Sequence, residues 1–257
     1  PKAGISNHNN GHKAYLSMAY ASREPERNNF TDNGKYPAPN AEHLFDVELG
    51  YQYAGDNWHA GTNLYYMGYK DQFVQTGEQS DIGENLTTNV KNSYRMGAEL
   101  TAGWNATSWF SFEGNAALSI NKIKDFDEFV ENWDDKNAPL KVHYNNSTLA
   151  FSPSAILNGF MNFHYKGVQL VWHTNYVSRQ YLDNSAHKDR SLPAFSQTDI
   201  NLSYALNMGK KQKCLKEVLF GLNFNNIFNS HYAASGWVYS AVSDNSKYTN
   251  DNRYYQI

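Results

Sequence analysis

The sequence predicts an all-β protein, a transmembrane antiparallel up-and-down β-barrel arrangement of about ten strands. Three observations lead to this prediction. Apolar and polar residues alternate along many segments, short polar connections alternate with long ones, and aromatic residues recur beside the short connections.

The alternation has a period of two and is clear in the segment 45–53. There Phe45, Val47 and Leu49 point to one face, and Asp46 and Glu48 point to the other. The same pattern recurs in five further segments, 95–104, 110–120, 168–176, 200–206 and 218–224. Charged residues in the middle of strands, such as Arg95, Glu99 and Glu113 as well as Asp46 and Glu48, favour a wide, water-filled interior over a small packed barrel.

The connections between these segments fall into two classes that alternate along the chain. Short, turn-forming connections lie at 9–12 (NNGH), 54–57 (AGDN), 105–108 (NATS), 166–167 (KG) and 208–213. Long polar segments lie at 22–44, 70–92, 122–150, 179–196 and 229–257. All short turns therefore lie at one end of an up-and-down meander, whose strands of about 9–11 residues match a bilayer crossing.

Aromatic residues flank the short turns: Tyr53 and Trp58 beside the second, Trp104 and Trp109 beside the third, and Tyr165 before the fourth. Such rings at one level are typical of the membrane interface, where one part of the ring is wet and another is apolar. Ordinary cross-strand pairing of aromatic residues is the alternative for a single hairpin. Recurrence at several turns favours an aromatic girdle.

Composition excludes several classes of protein. The net charge of −3 gives no basic surface for nucleic acid, and no run of about 18 apolar residues predicts a transmembrane helix. A single cysteine excludes an internal disulfide. The nine histidines show no metal-binding spacing, and nucleophile and phosphate-loop motifs are absent from the sequence. We therefore predict no enzyme activity, no cofactor and no metal site.

An acidic stretch at 125–135 (DFDEFVENWDD) places Phe126, Phe129, Val130 and Trp133 at nearly helical spacing. We predict that it forms a short helix or an acidic flap on a long surface loop. The alternative is a site for a divalent cation or a cationic ligand, because carboxylate oxygens bind hard cations.

Several segments resemble TonB-dependent outer-membrane receptors in the order in which those receptors place them. AYASREPERNNF (19–30) resembles a strand end that enters a long loop, although it reads SREPER where the family more often has FRAP. The other similar segments are NLYYMGYKDQFVQTG (63–77), DIGENLTTNVKNSYRMGAEL (81–100), FSPSAILNG (151–159) and GLNFNNIFNSHYAASGW (221–237).

The resemblance implies a barrel of about twenty-two strands that is filled by an N-terminal plug domain. Residues 1–257 would then be the C-terminal portion of the barrel, without the plug, the early strands and the last strand. The implied location is the outer membrane of a Gram-negative bacterium, and the implied partners are outer-membrane lipid, the TonB energy-transducing protein acting through the plug, and a small-molecule nutrient or metal chelate. Nucleic acid is not among them.

The function that the resemblance implies is TonB-energised uptake of a scarce nutrient, with an iron complex such as a siderophore or haem as the first expectation. The alternatives are a passive outer-membrane channel, an adhesin-type barrel and a soluble all-β binding module. For ligand contacts we predict Arg23, Arg27, Tyr36, Trp133 and Tyr181, because charged and aromatic residues on loops above a rigid scaffold are where recognition usually occurs.

Overall fold

The computed structural model describes residues 1–31, 37–80, 83–135, 139–208, 216–243 and 254–256. These residues form an antiparallel sheet whose main path contains ten strands. Neighbours along this path are consecutive in the chain except where short strands are passed over. The predicted all-β meander of about ten strands is therefore confirmed, and we call this path the barrel wall.

The bounds of the wall strands are β1 (Lys2–Asn9), β2 (His12–Arg23), β3 (Glu42–Ala54), β4 (Trp58–Gln79), β5 (Asn85–Asn105), β6 (Phe110–Asn132), β8 (Ala155–Tyr165), β9 (Val168–Val177), β12 (Phe195–Asn207) and β13 (Glu217–Phe224). Shorter elements complete the described chain: α1 (Arg27–Thr31), β7 (Leu140–Thr148), β10 (Gln180–Tyr181), β11 (Ser191–Leu192), β14 (Tyr239–Val242) and β15 (Tyr254–Gln256). In this part of the chain no helix has the length and apolar character needed to cross a bilayer.

The short connections join consecutive wall strands as predicted. In two of them the central residues have positive φ angles, 47° at Asn10 with 80° at Gly11, and 46° at Lys166 with 84° at Gly167. These values are typical of a type I′ hairpin turn, which matches the twist of the flanking strands. The predicted turn at 208–213 lies mostly outside the described residues. Short turns thus define one end of the wall, and we call the other the long-connection end.

Large apolar side chains of the wall lie on its outer face and are exposed. Leu49, Leu64 and Leu118 are 53%, 48% and 43% exposed, and the register places them in one row across β3 to β6. A soluble protein would bury such a row, whereas a transmembrane barrel presents it to lipid.

The prediction of long loops is wrong for two segments. Residues 70–92 and 122–150 consist mostly of strand, because β4, β5 and β6 run for 22, 21 and 23 residues. Strands of this length reach about 70 Å, more than twice the thickness of a bilayer core. They therefore project beyond the membrane at the long-connection end.

The acidic stretch 125–135 is also not a helix. Up to Asn132 it is the end of β6, where Phe126, Glu128, Val130 and Asn132 are buried with the period of a strand. Pairing of Phe126 with Tyr144 and of Val130 with Leu140 of β7 satisfies the backbone and overrides the nearly helical spacing.

The buried core lies at the long-connection end. One cluster contains Val74, Val90, Ile123, Phe126 and Leu149, and the other contains Leu182, Leu192 and Val238. These residues come from the projecting ends of β4 to β6, from position 149 directly after β7, from the β9–β12 connection (178–194) and from the segment 238–242, which includes β14. We call this assembly the outer cap. Its parts are joined further by β14, which pairs in parallel with β6 at Ala241 and Val242.

Candidate functional site in the inner wall and outer cap

The polar residues predicted to lie inside the barrel share the inner face of the wall. Residues opposite each other on antiparallel strands point to the same face. The register joins Asp46 to Met67 and Met67 to Arg95, and two rows further along the same face it joins Asn63 to Glu99. Glu113 lies opposite Gly103, which shares the face of Glu99. The prediction of a charged inner face is confirmed.

A cavity of about 310 Å³ opens on this face near the long-connection end, and it is lined by Glu48, Asn63, Tyr65, Arg95, Glu99 and Ser152 among others. Arg95 Nη1 donates to Ser152 Oγ at 3.0 Å and to Asn121 Oδ1 at 3.4 Å. Within the described ranges Arg95 forms no ion pair with a carboxylate. The hydrogen-bond partners of the guanidinium are therefore neutral, and the carboxylates of Glu48 and Glu99 line the same cavity.

A ladder of side-chain amides lies on the same face, closer to the short-turn end than the cavity does. Asn158 Nδ2 donates to Asn115 Oδ1 at 3.0 Å, and Asn175 Nδ2 donates to Asn158 Oδ1 at 3.0 Å. In the next row the rings of Phe160 and His173 stack with their centroids 4.3 Å apart. Polar groups of the inner wall are thus fixed by one another, and they form a rigid hydrophilic lining for β6, β8 and β9.

The outer cap contains a buried ionic network. Arg190 Nη1 lies 2.6 Å from Asp183 Oδ2 and 3.3 Å from Glu128 Oε1, and all three side chains are nearly inaccessible to solvent. Tyr144 donates its hydroxyl to Glu128 Oε2 at 2.8 Å, and Ser240 Oγ accepts from Arg190 at 3.3 Å. The network therefore links the β9–β12 connection to β6, β7 and β14.

Within this network the Arg190 guanidinium faces both carboxylates. Burial raises the pKa of the Asp183 carboxyl, Arg190 opposes that shift, and the negative charge of Glu128 adds to it. Asn184, which is fully buried, joins the same β9–β12 connection to two other segments: its side chain accepts from the Ala150 backbone N–H at 2.8 Å and donates to the Gln75 carbonyl of β4 at 2.6 Å.

Two acids of the 125–135 stretch, Asp127 and Glu128, contact cations of the same chain. Besides Glu128, Asp127 contacts Lys141 Nζ at 2.9 Å and His143 Nδ1 at 2.8 Å on the exposed side of the β6–β7 pair. The hydrogen bond with His143 lowers the pKa of Asp127, and the same bond raises the pKa of His143. Across the described residues, no group of three or more His, Cys, Asp or Glu side chains is placed to hold a metal ion.

Two of the predicted ligand contacts lie where β2 meets the long connection. Arg23 ends β2, its Nη2 is 3.9 Å from Glu42 Oε2, and its guanidinium lies 4.9 Å from the centre of the Phe73 ring. Arg27 begins α1 and is exposed. The neighbouring Asn29 holds this helix against β5 by donating to Thr87 Oγ1 at 2.9 Å.

The other predicted contacts border the outer cap. Trp133 follows β6, is 51% exposed, and donates its backbone N–H to Val242 O at 2.9 Å. Tyr181 lies in β10, is half-buried, and accepts from the Phe151 N–H at 2.8 Å. Tyr36 lies outside the described residues. Four of the five residues are thus at the long-connection end, in two groups.

Sequence reasoning missed the role of Arg190, Asp183 and Glu128. Arg190 and Glu128 are 62 residues apart, and Arg190 belongs to a polar stretch, HKDRS, with no apolar period. The sequence contains only a weak signal for this network. It consists of a run of acids beside apolar residues in 125–135 and a single arginine in the distant segment HKDRS (187–191).

Comparison with known proteins gives one family and a set of similar folds. The model of the family described as TonB dependent receptor-like, beta-barrel, matches residues 1–227. No match was found among curated proteins.

Three of the similar solved structures are transporters or receptors for metals or metal complexes. The copper transporter OprC has a TM-score of 0.65 and 16% identity over 90% of this chain and 34% of its own. The ferric-catecholate import receptor Fiu from E. coli K12 has a TM-score of 0.62 and 17% identity over 90% and 31%. The ferric yersiniabactin uptake receptor FyuA from Yersinia pestis has a TM-score of 0.60 and 16% identity over 95% and 33%. At such identities the likeness shows the fold, and this chain spans about a third of the length of each structure.

Proposed function

Because this chain belongs to the family of TonB-dependent receptor β-barrels, we propose that it forms part of the barrel wall and of the ligand vestibule in an outer-membrane transporter for a scarce nutrient. Proteins of this family are outer-membrane transport receptors, not enzymes, and they bind TonB and small-molecule nutrients. In this proposal, residues 1–257 belong to the C-terminal portion of the barrel, and the plug through which TonB acts belongs to another part of the same protein.

One observation carries the proposal. The wall has an exposed apolar outer face and a charged inner face, and the outer cap stands over one end of that inner face. An apolar exterior suits lipid, a charged interior suits a hydrated path, and a folded cap at the mouth suits selective entry. A soluble all-β binding module would not expose Leu49, Leu64 and Leu118 in one row.

The proposed substrate is an iron complex, either a siderophore or haem. Two of the three similar structures described above are named for ferric complexes, whereas the third is named for copper. Siderophores and haem carry carboxylate, phenolate or similar oxygen groups, which match the unpaired charge of Arg95 and the exposed Arg23 and Arg27. Tyr36, Trp133 and Tyr181 are proposed to contact the flat or apolar parts of the complex.

Uptake of radioactive iron by cells that express the complete receptor tests the proposal. Cells supplied with ferric chelates under iron limitation should accumulate iron only when TonB is present. Uptake that continues without TonB, together with steady ion conductance of the purified receptor in planar bilayers, would show a passive channel instead. Binding without uptake in the presence of TonB would contradict the transport function.

Variants of the contact residues test the site separately. Arg95→Gln and Trp133→Ala should each raise the half-saturating concentration of the ferric chelate about three- to tenfold, as is typical for a ligand-contacting side chain. Lys166→Gln, at the short-turn end, is the control and should leave uptake unchanged. Normal uptake by both contact variants would remove these residues from the proposed site while leaving the transport proposal intact.

A further inference from the structure

A groove on the outer face of the wall has a composition that differs from the lipid-facing surface around it. The groove has a volume of about 370 Å³, and its lining includes Tyr20, His43, Phe45, Tyr66, Gly68, Lys70 and Lys124. It therefore combines aromatic rings with basic side chains at one place on the barrel.

The register shows that these residues face outward. Phe45 lies opposite Gly68, and His43 lies opposite Lys70. Counting by twos along β3 leads from Phe45 to Leu49, and along β4 from Gly68 to Leu64, and both leucines belong to the exposed apolar row. The groove is thus on the membrane side of the wall, and the inner cavity with Arg95 is on the other side.

Its height places the groove at the membrane surface. It lies at the long-connection edge of the apolar outer face, where Tyr20, Phe45 and Tyr66 are 48%, 47% and 45% exposed. Aromatic residues at that edge correspond to an interfacial girdle, and the basic residues lie just beyond it. This is the level at which the phosphate groups of lipids are found.

The absence of a side chain at Gly68 opens the groove, and ring contacts shape its sides. Tyr20 and His43 are joined by a hydrogen bond of 3.0 Å between Tyr20 Oη and His43 Nδ1. Tyr66 stacks on Tyr94 with ring centroids 6.2 Å apart. The aromatic sides are therefore fixed, with room between them for an acyl chain or a sugar ring.

The charge of the groove is not neutralised by the protein. Lys70 and Lys124 are exposed, and neither forms an ion pair among the described residues. Lys141 is different, because it pairs with Asp127. Two uncompensated ammonium groups beside an apolar groove at a membrane surface require an anion that is attached to an apolar body.

We propose that this groove binds one phosphate-bearing lipid of the membrane leaflet on the long-connection side. Lys70 and Lys124 contact the phosphate, and Phe45, Tyr66 and the space above Gly68 hold the adjoining apolar or sugar part. The inference depends on the membrane-facing side of the fold and does not depend on which nutrient is transported.

Native mass spectrometry of the complete receptor in detergent, titrated with diphosphoryl lipid A, tests the site. The natural sequence should retain one lipid, and phosphatidylcholine should not be retained. Lys70→Gln combined with Lys124→Gln should weaken binding about 25-fold, or roughly fivefold for each basic residue removed from a charged membrane surface. Lys166→Gln is the matched control, because Lys166 is also an exposed lysine beside an aromatic ring, Tyr165, but at the short-turn end.

A second variant tests the groove while keeping its charge. Gly68→Leu should fill the space above Gly68 and weaken retention of the lipid, since a Cβ there meets the Tyr66 ring at 3.2 Å and not the backbone. Heat-modifiable gel migration should be normal for all variants, which confirms that the barrel is folded.

Three results would overturn the proposal: unchanged affinity in the double lysine variant, equal weakening by Lys166→Gln, or full competition by millimolar inorganic phosphate. The last result would indicate a site for a free anion. Iron uptake should stay normal in the double variant, so failure of the lipid site and failure of the transport proposal are distinguishable.

Discussion

In the barrel wall the large apolar side chains face outward and the charged ones face inward, whereas in the outer cap both kinds are buried together. The wall is defined by its backbone ladders and by two surfaces of opposite character. The cap has its own apolar clusters and a buried guanidinium between two carboxylates. The wall is organised as a membrane-spanning structure, and the cap as a small soluble domain that is built on the ends of the same strands.

This difference teaches where each region is sensitive to change. A wall strand tolerates polar residues on one face and rejects them on the other, so the effect of a substitution alternates along the strand. In the cap, sensitivity is concentrated in a few residues that join distant segments. The predictions below use this contrast, in order of decreasing effect.

The largest effect is expected from Arg190→Met. The substitution leaves the Asp183 carboxyl group buried without the guanidinium that contacts it, which destabilises the cap by about 3–5 kcal/mol. Hydrogen exchange of the complete receptor should show lost protection in 178–194 and near Val242, with the wall unchanged. Arg179→Met is the control in the same connection, because Arg179 is exposed. Protection that is retained in the Arg190 variant would contradict the structural role of the network.

A smaller effect is expected from charge on the membrane face of the wall. Leu64→Arg should destabilise the barrel in bilayers, lowering its free energy of unfolding by about 2–4 kcal/mol, because an arginine is placed against lipid. Asn63→Arg, one residue away and facing inward, should change it by much less. Urea titration of both variants in lipid vesicles measures the difference, and equal destabilisation would refute the assignment of faces.

The hairpin turn at Gly11 should tolerate no side chain. An added Cβ would lie 2.3 Å from the Ala54 carbonyl oxygen, and the φ angle of Gly11 is +80°. Gly11→Ala should therefore lower the free energy of unfolding by at least about 1–2 kcal/mol. Gly221→Ala is the matched control, since nothing lies within 4 Å of its Cβ position. The same urea titration compares the two variants, and a Gly11 variant as stable as its control would exclude the proposed turn.

The smallest effect concerns the exposed pair of His143 and Asp127. The pKa of His143 is raised and that of Asp127 is lowered, so their ionic contact is lost as pH rises through the histidine pKa or falls through the carboxyl pKa. Asp127→Asn should move the His143 pKa down toward its ordinary value. NMR titration of the imidazole measures this shift, and an unchanged pKa would exclude Asp127 as its cause.

The same contrast explains how much could be predicted from the sequence. Alternation in 45–53 and the turn residues Asn10, Gly11, Lys166 and Gly167 act locally, so the wall and the four short hairpins that the structure describes in full are predicted correctly. The cap depends on pairs that are distant in the chain. Residues 125–132 have the apolar spacing of a short helix, and only their pairing with β7 and β14 makes them a strand.

The candidate site was predictable to a similar extent. The charged inner face follows from alternation, and it was predicted with the residues that the register now joins. The contacts of Arg23 with Glu42 and Phe73, and the placement of Trp133 beside β14, depend on how connections fold against one another. Such packing has no periodic signal in the sequence.

The central claim is that the wall crosses a membrane with alternate residues facing lipid and water. Spin labels on single cysteines test it most directly, at Asn63→Cys, Leu64→Cys, Tyr65→Cys and Tyr66→Cys in the complete receptor in bilayers, each with Cys214→Ser. Labels at 64 and 66 should be relaxed mainly by oxygen dissolved in lipid, and labels at 63 and 65 mainly by a water-soluble nickel reagent. Equal access of the nickel reagent to all four positions would contradict the account.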